Sequence, residues 1–509
     1  MMSRYFPDAV DVAIVGSGPT GAAYARILSE LRPDLTLATF EVGPAVTDPP
    51  GAHVKSIADD DARASAQSRS EGPTAPVQDG RLRRPGTFLL SAGFQLTDED
   101  GIPSVAMSSN VGGMGAHWTC ACPRPGDSER ITFIPDLDEL LEEAARLLGV
   151  STDAFDDAPF AHEVRRRLAS VFNAGRPADR WVQPMPLAVS VGGDGTVTWS
   201  GSDVVFGQVT RDNPRYSLYP EALVRRLLIE DNRVTGIVVV DRTDGTAHHV
   251  NATEVVVAAD ALRTPQLLWA SGIRPAALGR YLNDQSQIIH AVRLRDVESS
   301  SVSQVDPRGH TAVVRQSGVS WVPFTDAEPF HGQVMQLDAS PVPLAPGDVP
   351  EPGSIVGLGW FCAKELSADD RITFDDTETD RYGMPAMEIH YRLTEADLAA
   401  LEGAHHSIKR AAAALGEPLD AEPRTLPRGA SLHYQGTVRM GPTDDATSVC
   451  DTSSRVWGID GLRVAGNGVI PTSTACNPTL TSVALAVAGA RNIAQSLPTT
   501  QSAQEEVSR

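Results

Sequence analysis

A stretch of thirteen residues, NVGGMGAHWTCAC at positions 110–122, concentrates side chains that can do chemistry. Three interpretations are open: a metal site, a nucleophilic thiol, or a glycine-rich backbone that lies against a large planar ligand whose edge the histidine meets. A closed zinc site needs four ligands, and no second pair stands near His117, Cys120 and Cys122 in the sequence. A nucleophilic thiol needs a base, and we find no local one. We therefore expect no metal and interpret both cysteines as packing residues.

A second histidine, His433, lies in the glycine-containing segment SLHYQGTVRMG at 431–441. With an ordinary pKa of about 6.5, a histidine can take a proton from an alcohol near neutral pH while a hydride leaves the same carbon. The neighbouring glycines let another molecule come close to the backbone. A lone histidine is more often structural, but these glycines favour His433 as a candidate general base.

The N-terminal sequence predicts the fold that positions these residues. Residues 11–15 form a short apolar strand, GSGPTG at 16–21 forms a tight turn, and 22–31 has a helical pattern. The first glycine permits the turn, the second lets a pyrophosphate approach the backbone, and the third lets strand and helix pack closely. A second strand ends at Glu41, where a carboxylate would accept a hydrogen bond from a ribose hydroxyl. These features together predict a dinucleotide-binding domain.

The C-terminal segment helps to separate NAD from FAD, because both can bind such a turn. Asn477-Pro478-Thr479 starts a predicted helix from 480 to about 494, which carries no charge before Arg491. A buried helix whose positive end is free can stabilise the anionic pyrimidine ring of a reduced flavin. The glycine-rich strand and loop before the helix favour this interpretation, so we predict FAD.

The remaining sequence indicates a second domain, because 509 residues exceed what one hydrophobic core usually holds. Residues 44–86 are poor in large apolar side chains and predict an exposed excursion or a flap over the site. Residues 131–180 have helical periodicity, and 220–259 predict a helix followed by two strands. The predicted fold is α/β. Residues 1–130, 205–300 and 428–509 are expected to form a Rossmann-like FAD-binding domain. Residues 131–204, as the helical part, and 301–427 are expected to form an α+β substrate-binding domain with a mixed or antiparallel sheet.

Composition argues against several other classes of function. The 43 basic and 65 acidic side chains give a formal net charge of −22, which repels nucleic-acid phosphates and anionic lipids. No stretch reaches the roughly 18 consecutive apolar residues of a membrane span. No signal peptide is apparent, and five irregularly spaced cysteines suit a reducing compartment. We expect a cytoplasmic protein that binds neither nucleic acid nor membrane.

The motifs together resemble the glucose-methanol-choline (GMC) flavoprotein oxidoreductases. The matching segments follow the order GSGPTG, GGMGAHW, AADALRTPQLLWASGI, HYQGTVRMG and NPTLTSVALAVAG. Within that family, GGMGAHWTCACP is similar to the flavin-linking segment of pyranose oxidases, although Gly115 and Ala116 stand where those enzymes carry serine and threonine. The resemblance implies that His117 is the candidate for a covalent bond to the flavin and that Thr119 lies near flavin N5.

The pyranose-oxidase branch also implies roles for polar residues. His433 matches its presumed base, and Asn477 matches the partner asparagine, which many other GMC enzymes replace with a second histidine. The segment FHGQVMQLDAS resembles the substrate-loop region, with Gln333 and Asp338 as candidate partners for sugar hydroxyls. The predicted cofactor-binding residues are Gly16, Gly18, Gly21, Glu41, Gly113, His117, Thr119, Asn467, Pro478 and Thr479.

The resemblance thus predicts an FAD-dependent oxidase that converts a secondary hydroxyl of a pyranose or glycoside, at carbon-2 or carbon-3, to a ketone. Hydride passes to flavin N5, and oxygen or a quinone reoxidises the flavin. Trp360 or Phe361 stands near the position of an arginine in fungal relatives, so an aromatic wall could accept an aglycone. The chain is shorter than those relatives, which predicts a monomer or small homo-oligomer. Two alternatives stay open: a GMC enzyme for a non-sugar alcohol such as a sterol, and a flavin-binding partner subunit without turnover.

Overall fold

The computed structural model describes residues 5–57, 100–193, 196–297, 318–337 and 353–498, with isolated residues between 59 and 66 and between 340 and 351. The described α-helices are α1 (Pro19–Leu31), α2 (Leu137–Leu148), α3 (Ala161–Phe172), α4 (Ser202–Arg211), α5 (Asp260–Ala270), α6 (Glu395–Leu415) and α7 (Thr479–Ser496). The described strands are β1 (Ala9–Val15), β2 (Leu37–Phe40), β3 (Val150–Ser151), β4 (Gln183–Pro184), β5 (Leu187–Val191), β6 (Val197–Trp199), β7 (Tyr216–Tyr219), β8 (Ala222–Glu230), β9 (Arg233–Asp241), β10 (Ala247–Val257), β11 (Ser286–Leu294), β12 (Val319–Val322), β13 (Phe330–Gln336), β14 (Ile355–Cys362), β15 (Arg371–Thr379), β16 (Pro385–His390), β17 (Gly416–Pro418), β18 (Arg424–Thr425) and β19 (Leu462–Val464).

The first sheet has the order β7-β2-β1-β10-β9-β8, and β19 also pairs with β10. Strands β7, β2, β1, β10 and β19 run parallel to their neighbours, whereas β8 and β9 form an antiparallel hairpin on the first half of β10. The apolar run Val255–Val257 in β10 is fully buried, as is typical of a parallel strand that is covered on both faces. Parallel strands with α1 and α7 on the sheet give the predicted Rossmann-like domain.

The second sheet has the order β17-β11-β14-β13-β12-β4, with β18 also paired to β11, and these pairs are antiparallel. Its central strand β14 is buried along its whole length. Alternate residues point to opposite faces of a strand. Val356, Leu358 and Trp360 therefore face a core that they share with α3 and α6, and the residues between them face the other side of the sheet. This antiparallel sheet has the form predicted for the substrate-binding domain, but its strand β11 comes from the segment 205–300, which we had assigned to the FAD-binding domain.

The segment 131–204, which we expected to belong as a whole to the second domain, is divided between two cores. The apolar side chains of α2 are buried in the core of the first sheet, whereas Val164, Leu168 and Phe172 of α3 pack against the second sheet. Leu140, Ala144 and Leu147 form an apolar stripe along α2. Helix α7 packs against this helix. Helical periodicity shows that a face is buried but does not show which partner covers it.

Two further expectations from the sequence are wrong. The segment at 222–230, expected to start as a helix, is strand β8, because the turn at Asp231 and Asn232 has positive φ at both residues and closes a hairpin with β9. The segment expected to be exposed from residue 44 onward is buried at Gly51–Val54. It is held there because His53 donates from Nε2 to the carbonyl of Trp118 at 2.9 Å. Most of 58–86 lies outside the described residues.

Candidate active site

A cleft lies at the carboxyl ends of β1, β2 and β10. Val15 and Phe40, the last residues of their strands, line it together with Ala258, which follows β10. This edge is where ligands bind in open parallel sheets. The lining joins the GSGPTG turn, the GGMG turn and the C-terminal residues Asn467 and Thr479, as a dinucleotide site requires.

The glycine turn lets the cleft approach the backbone of β1. A Cβ on Gly16 would lie 2.3 Å from the carbonyl oxygen of Ala258, and the residue has φ of +100°. A Cβ on Gly21 would lie 2.1 Å from the carbonyl oxygen of Gly16, where α1 crosses the strand. A side chain is therefore excluded at both positions. At Gly18, the middle glycine of the turn, a Cβ would meet no atom within 4 Å, because the backbone there borders the cleft.

Glu41 is fixed by bonds to the glycine turn. Its Oε2 accepts from the backbone N–H of Ser17 at 3.1 Å and from Ser17 Oγ at 2.7 Å, and its Oε1 accepts from Gly43 N–H at 3.0 Å. Burial raises the pKa of the Glu41 carboxyl, while these donors lower it. Ser17 Oγ also accepts from Gly112 N–H at 2.9 Å. Ser17, which the sequence pattern did not single out, thus joins the two glycine-rich segments.

The GGMG turn reaches the cleft, but the histidine after it does not. Gly113, Met114, Gly115 and Trp118 line the cleft, whereas His117 is buried behind it with Nε2 at 3.1 Å from Met114 Sδ. Burial, with a smaller contribution from His53, lowers the pKa of His117 well below its ordinary value. Thr119 is exposed and does not line the cleft.

Two helix N-termini open into the cleft. Helix α1 begins after Gly18 and α7 begins after Pro478, and neither start has a side-chain cap or an acidic residue in the first turn. Thr20 of α1 and Thr479 of α7 line the cleft. Uncapped first turns leave backbone N–H donors and positive potential for an anion. The two starts suit the two anionic parts of a flavin dinucleotide, its pyrophosphate and its reduced pyrimidine ring.

An arginine that the sequence pattern did not reveal stands at the same cleft. Arg263 of α5 lines it, and its Nη1 donates to Ser109 Oγ at 2.9 Å. Its Nη2 is buried and has no hydrogen-bond partner within the part of the chain that the structure describes. A cation with a spare donor is a further feature that fits a bound diphosphate. The residues present therefore fit FAD.

The predicted base, His433, is half-buried next to this cleft. The flanking residues Leu432 and Tyr434 line the cleft, and His433 Nδ1 lies 2.7 Å from Gln285 Oε1. Gln285 Nε2 donates to the carbonyl oxygens of Thr474 and Cys476, each at 2.9 Å. Because those carbonyls only accept, the amide oxygen of Gln285 must face the imidazole. His433 Nδ1 therefore carries the proton, and Nε2 keeps its lone pair.

Asn477 completes a chain of hydrogen bonds across the site. Its Nδ2 lies 3.1 Å from His433 Nε2 and donates to it, and its Oδ1 accepts from Gln333 Nε2 at 2.6 Å. Gln333 comes from β13, so this chain joins the second sheet to α7 and the 429–441 loop. The structure brings together His433, Asn477 and Gln333 from positions that are up to 144 residues apart.

One of the two aromatic residues named from the sequence faces the site. The ring centroid of Phe361 lies 5.4 Å from that of His433. Trp360 is fully buried on the opposite face, where its Nε1 donates to Ser407 Oγ at 3.0 Å. Successive side chains of β14 point to opposite faces of the sheet, so only one of the two can face the site. An aromatic wall would therefore be formed by Phe361.

Of the predicted cofactor-binding residues, Gly16, Gly18, Glu41, Gly113, Asn467 and Thr479 line the cleft, and Gly21, His117, Thr119 and Pro478 do not. Asp338, the second predicted substrate residue, lies outside the described residues.

Within the described ranges, no group of three or more histidine, cysteine or acidic side chains could hold a metal ion. The cysteines Cys120 and Cys122 are free and fully buried, and burial raises the pKa of both thiols. In the part of the chain that the structure describes, no helix meets the length and apolarity that crossing a bilayer requires.

Two buried carboxylates hold the loops that carry the site. Asp284 accepts from Gly429 N–H at 3.0 Å and from Ser431 Oγ, just before His433. Burial raises the pKa of the Asp284 carboxyl to about 6. Glu129 Oε1 accepts from the N–H groups of Ala475 and Cys476, at 2.8 and 2.9 Å, just before Asn477. Neither carboxylate was apparent from the sequence.

We expect Glu129→Gln to destabilise the protein by about 1–3 kcal/mol in free energy of unfolding and to slow flavin reduction. Glu129 Oε2 accepts from Gly126 N–H at 3.0 Å, and an amide can satisfy only one of its two groups of donors. Thermal unfolding and anaerobic reduction kinetics measure both effects. The control is Glu139→Gln in the exposed first turn of α2, for which neither quantity should change. Equal stability of the two variants would contradict the positioning role.

Comparison with known proteins places the chain in a family. Models of GMC oxidoreductases match residues 195–287 and 367–486. A C-glycoside 3-oxidase of Microbacterium trichothecenolyticum is 61% identical over 510 residues, which cover 98% of this chain and 99% of the relative. A pyranose 2-oxidase of Tricholoma matsutake is 34% identical over 539 residues, which cover 95% of this chain and 93% of the relative.

Solved structures show the same fold. The crystal structure of pyridoxine 4-oxidase from Mesorbium loti matches 96% of this chain and 100% of its own, with a TM-score of 0.67 and 19% identity. The predicted fold class and the prediction of an FAD-dependent oxidoreductase that acts on CH–OH groups are thus confirmed. The chain belongs to the GMC oxidoreductase family, in the pyranose oxidase-like branch that its motifs indicated.

Proposed function

We propose that this protein is a glycoside oxidase that converts a secondary ring hydroxyl, at carbon-3 or carbon-2 of a sugar unit, to a ketone. The observation that carries the proposal is the imidazole of His433, whose basic Nε2 meets Asn477 Nδ2 at 3.1 Å beside the cleft that fits FAD. A lone pair next to an amide donor suits one hydroxyl group. The hydroxyl gives its proton to the imidazole nitrogen, and its oxygen accepts a hydrogen bond from the amide.

The residues of the chain divide the chemistry between them. His433 takes the hydroxyl proton at Nε2 as the C–H bond at the same carbon breaks. Asn477 Nδ2 donates to the hydroxyl oxygen and thereby orients the lone pairs of that oxygen while the carbonyl forms. Gln285 holds the imidazole in the required tautomer. Bound FAD supplies the two-electron acceptor, and oxygen or a quinone restores it.

The class of substrate is supported by the relatives and by one wall of the site. The relative with 61% identity is a C-glycoside 3-oxidase, and the more distant one is a pyranose 2-oxidase. Phe361 supplies an apolar face near His433, where an arginine would favour polar groups. Flat apolar surfaces stack on aromatic aglycones. We therefore propose that aryl glycosides are better substrates than free sugars.

The test is anaerobic mixing of the FAD-loaded enzyme with matched pairs of free sugars and their aryl O- and C-glycosides. Loss of the yellow flavin absorbance measures reduction, and NMR of the products identifies the oxidised carbon. We expect faster reduction by the glycosides and a ketone on a secondary ring carbon. Reduction by sterols or primary alcohols but by no sugar derivative would overturn the proposal.

We further propose that the FAD is bound without a covalent link. The support is that His117 does not line the cleft and that its Nε2 contacts Met114 Sδ. Acid precipitation of the holoenzyme should therefore leave the flavin colour in the supernatant. A yellow pellet whose flavin-bearing peptide contains His117 would contradict this proposal.

A further inference from the structure

A second histidine of the substrate sheet, His331, presents a buried donor that the reaction described above does not use. Its side chain is fully buried in β13. Trp321 Nε1 donates to its Nδ1 at 3.1 Å. A neutral imidazole carries one proton, and an indole N–H can only donate. The proton of His331 is therefore on Nε2, and this N–H has no hydrogen-bond partner within the described residues.

The position of His331 on β13 directs it toward the reacting centre. His331 and Gln333 are two residues apart on one strand, so they lie on the same face of the sheet. Gln333 already contacts Asn477. The ring of Phe361 lies 5.3 Å from the His331 ring and 5.4 Å from the His433 ring. The two imidazoles thus contact the same aromatic ring.

The imidazole of His331 is neutral and acts only as a donor. Burial, with a smaller contribution from His433, lowers its pKa to about 3. Trp321 donates to Nδ1, so the nitrogen that His331 has left for a ligand is the donor Nε2–H. Burying an N–H without a partner is costly, and such a donor beside a reacting centre is suited to a ligand that supplies an acceptor.

We infer that His331 is a substrate-binding residue whose Nε2–H donates to an oxygen on a ring carbon next to the carbon that is oxidised. The inference rests on the proposed oxidation of a sugar ring, and it assigns a requirement for a vicinal oxygen. A substrate of this site carries two neighbouring oxygens, one held by His433 and Asn477 and the other by His331. Simple secondary alcohols lack the second oxygen.

The experiment compares His331→Phe and His331→Gln with the unaltered holoenzyme. Phenylalanine removes the donor and keeps a planar ring, whereas glutamine can accept from Trp321 and still donate. Each enzyme is mixed anaerobically with an aryl glucoside and with its monodeoxy analogues. FAD content and thermal unfolding show that each variant is folded.

For the unaltered enzyme, one monodeoxy analogue that lacks an oxygen next to the reacting carbon should lose roughly 10-fold in kcat/KM. His331→Phe should lose a similar factor with the parent glucoside and almost nothing more with that analogue, while His331→Gln should recover most of the rate. Equal losses for His331→Phe with the parent and with every analogue would overturn the inference and leave His331 as a packing residue.

A failure of the proposed function gives a different result. In that case the unaltered holoenzyme would not be reduced by any glucoside, whether parent or deoxy. A second variant, Trp321→Phe, provides an independent check because it releases Nδ1 and lets the proton leave Nε2. We expect it to reproduce part of the loss with the parent glucoside and none with the responsive analogue. A larger loss with that analogue than with the parent would count against the inference.

Discussion

Replacement of His433 with alanine should slow anaerobic flavin reduction by a glycoside about 10²- to 10⁴-fold. The variant removes the only base whose lone pair is held against Asn477 in the described site. FAD binding should be retained, because His433 does not line the cleft. Stopped-flow reduction and the ratio of flavin to protein in the purified variant measure the two properties separately.

The control for this variant is His406→Ala on helix α6. The side chain of His406 is 72% exposed, so its loss should change neither flavin reduction nor FAD content. Reduction of the His433→Ala enzyme at an undiminished rate would show that the proton leaves by another route. Loss of FAD from that variant would show instead that the histidine supports the cofactor.

Replacement of Gln285 with leucine should cost nearly as much as loss of the base itself. The variant leaves His433 Nδ1–H without its acceptor at 2.7 Å, so the imidazole is free to take the other tautomer, with its proton on the atom that must accept one. Loss of the group that fixes a catalytic tautomer costs up to about 10⁴-fold in serine proteases. Gln285 has a neutral amide, so we expect roughly 10²-fold in the rate of reduction, with KM little changed.

A matched control is Gln208→Leu on the exposed surface of α4, which should leave the rate unchanged. A Gln285→Leu enzyme with normal rate and normal pH dependence would refute the tautomer role.

The elements with strong local signals were predictable from the sequence. The strand, glycine turn and helix at the N-terminus follow from steric rules that act within 25 residues, and β1 and α1 were found with ends shifted by two or three residues. His433 and Asn477 were predicted from the resemblance, and the structure places them in contact. The FAD cleft follows from the same signals, because its walls are the ends of those elements.

The residues that fix the site chemically were not predictable. Ser17, Glu129, Asp284 and Gln285 are single polar residues in ordinary sequence surroundings, and each bonds to a segment of the site that lies between 24 and 347 residues away. Only the fold brings each carboxylate or amide to its donors. Propensity and periodicity act over one or two turns, so they contain no information on such pairs.

The same limit explains the errors in the fold. The segment 222–230 has helical propensity, yet its pairing with β9 makes it a strand. Helix α2 has an apolar face that is visible in the sequence, but the sequence does not show that α7 covers it. His331 was passed over for a related reason: a histidine in a strand is informative only once Trp321 is seen to fix its tautomer.

The most direct test of the account is the pH dependence of anaerobic flavin reduction by a glycoside. Burial lowers the pKa of His433 to about 4, and the neutral amide of Gln285 adds no charge to raise it. The imidazole is therefore the neutral base at every pH above that value. We predict a rate that is constant between about pH 7 and about pH 8, changes only slightly near pH 6, where Asp284 behind the loop takes up a proton, and falls steeply only as the pH approaches about 4. A rate that is instead lost almost completely as the pH falls through the ordinary histidine pKa of about 6.5, or one that is unchanged in His433→Ala, would contradict the account.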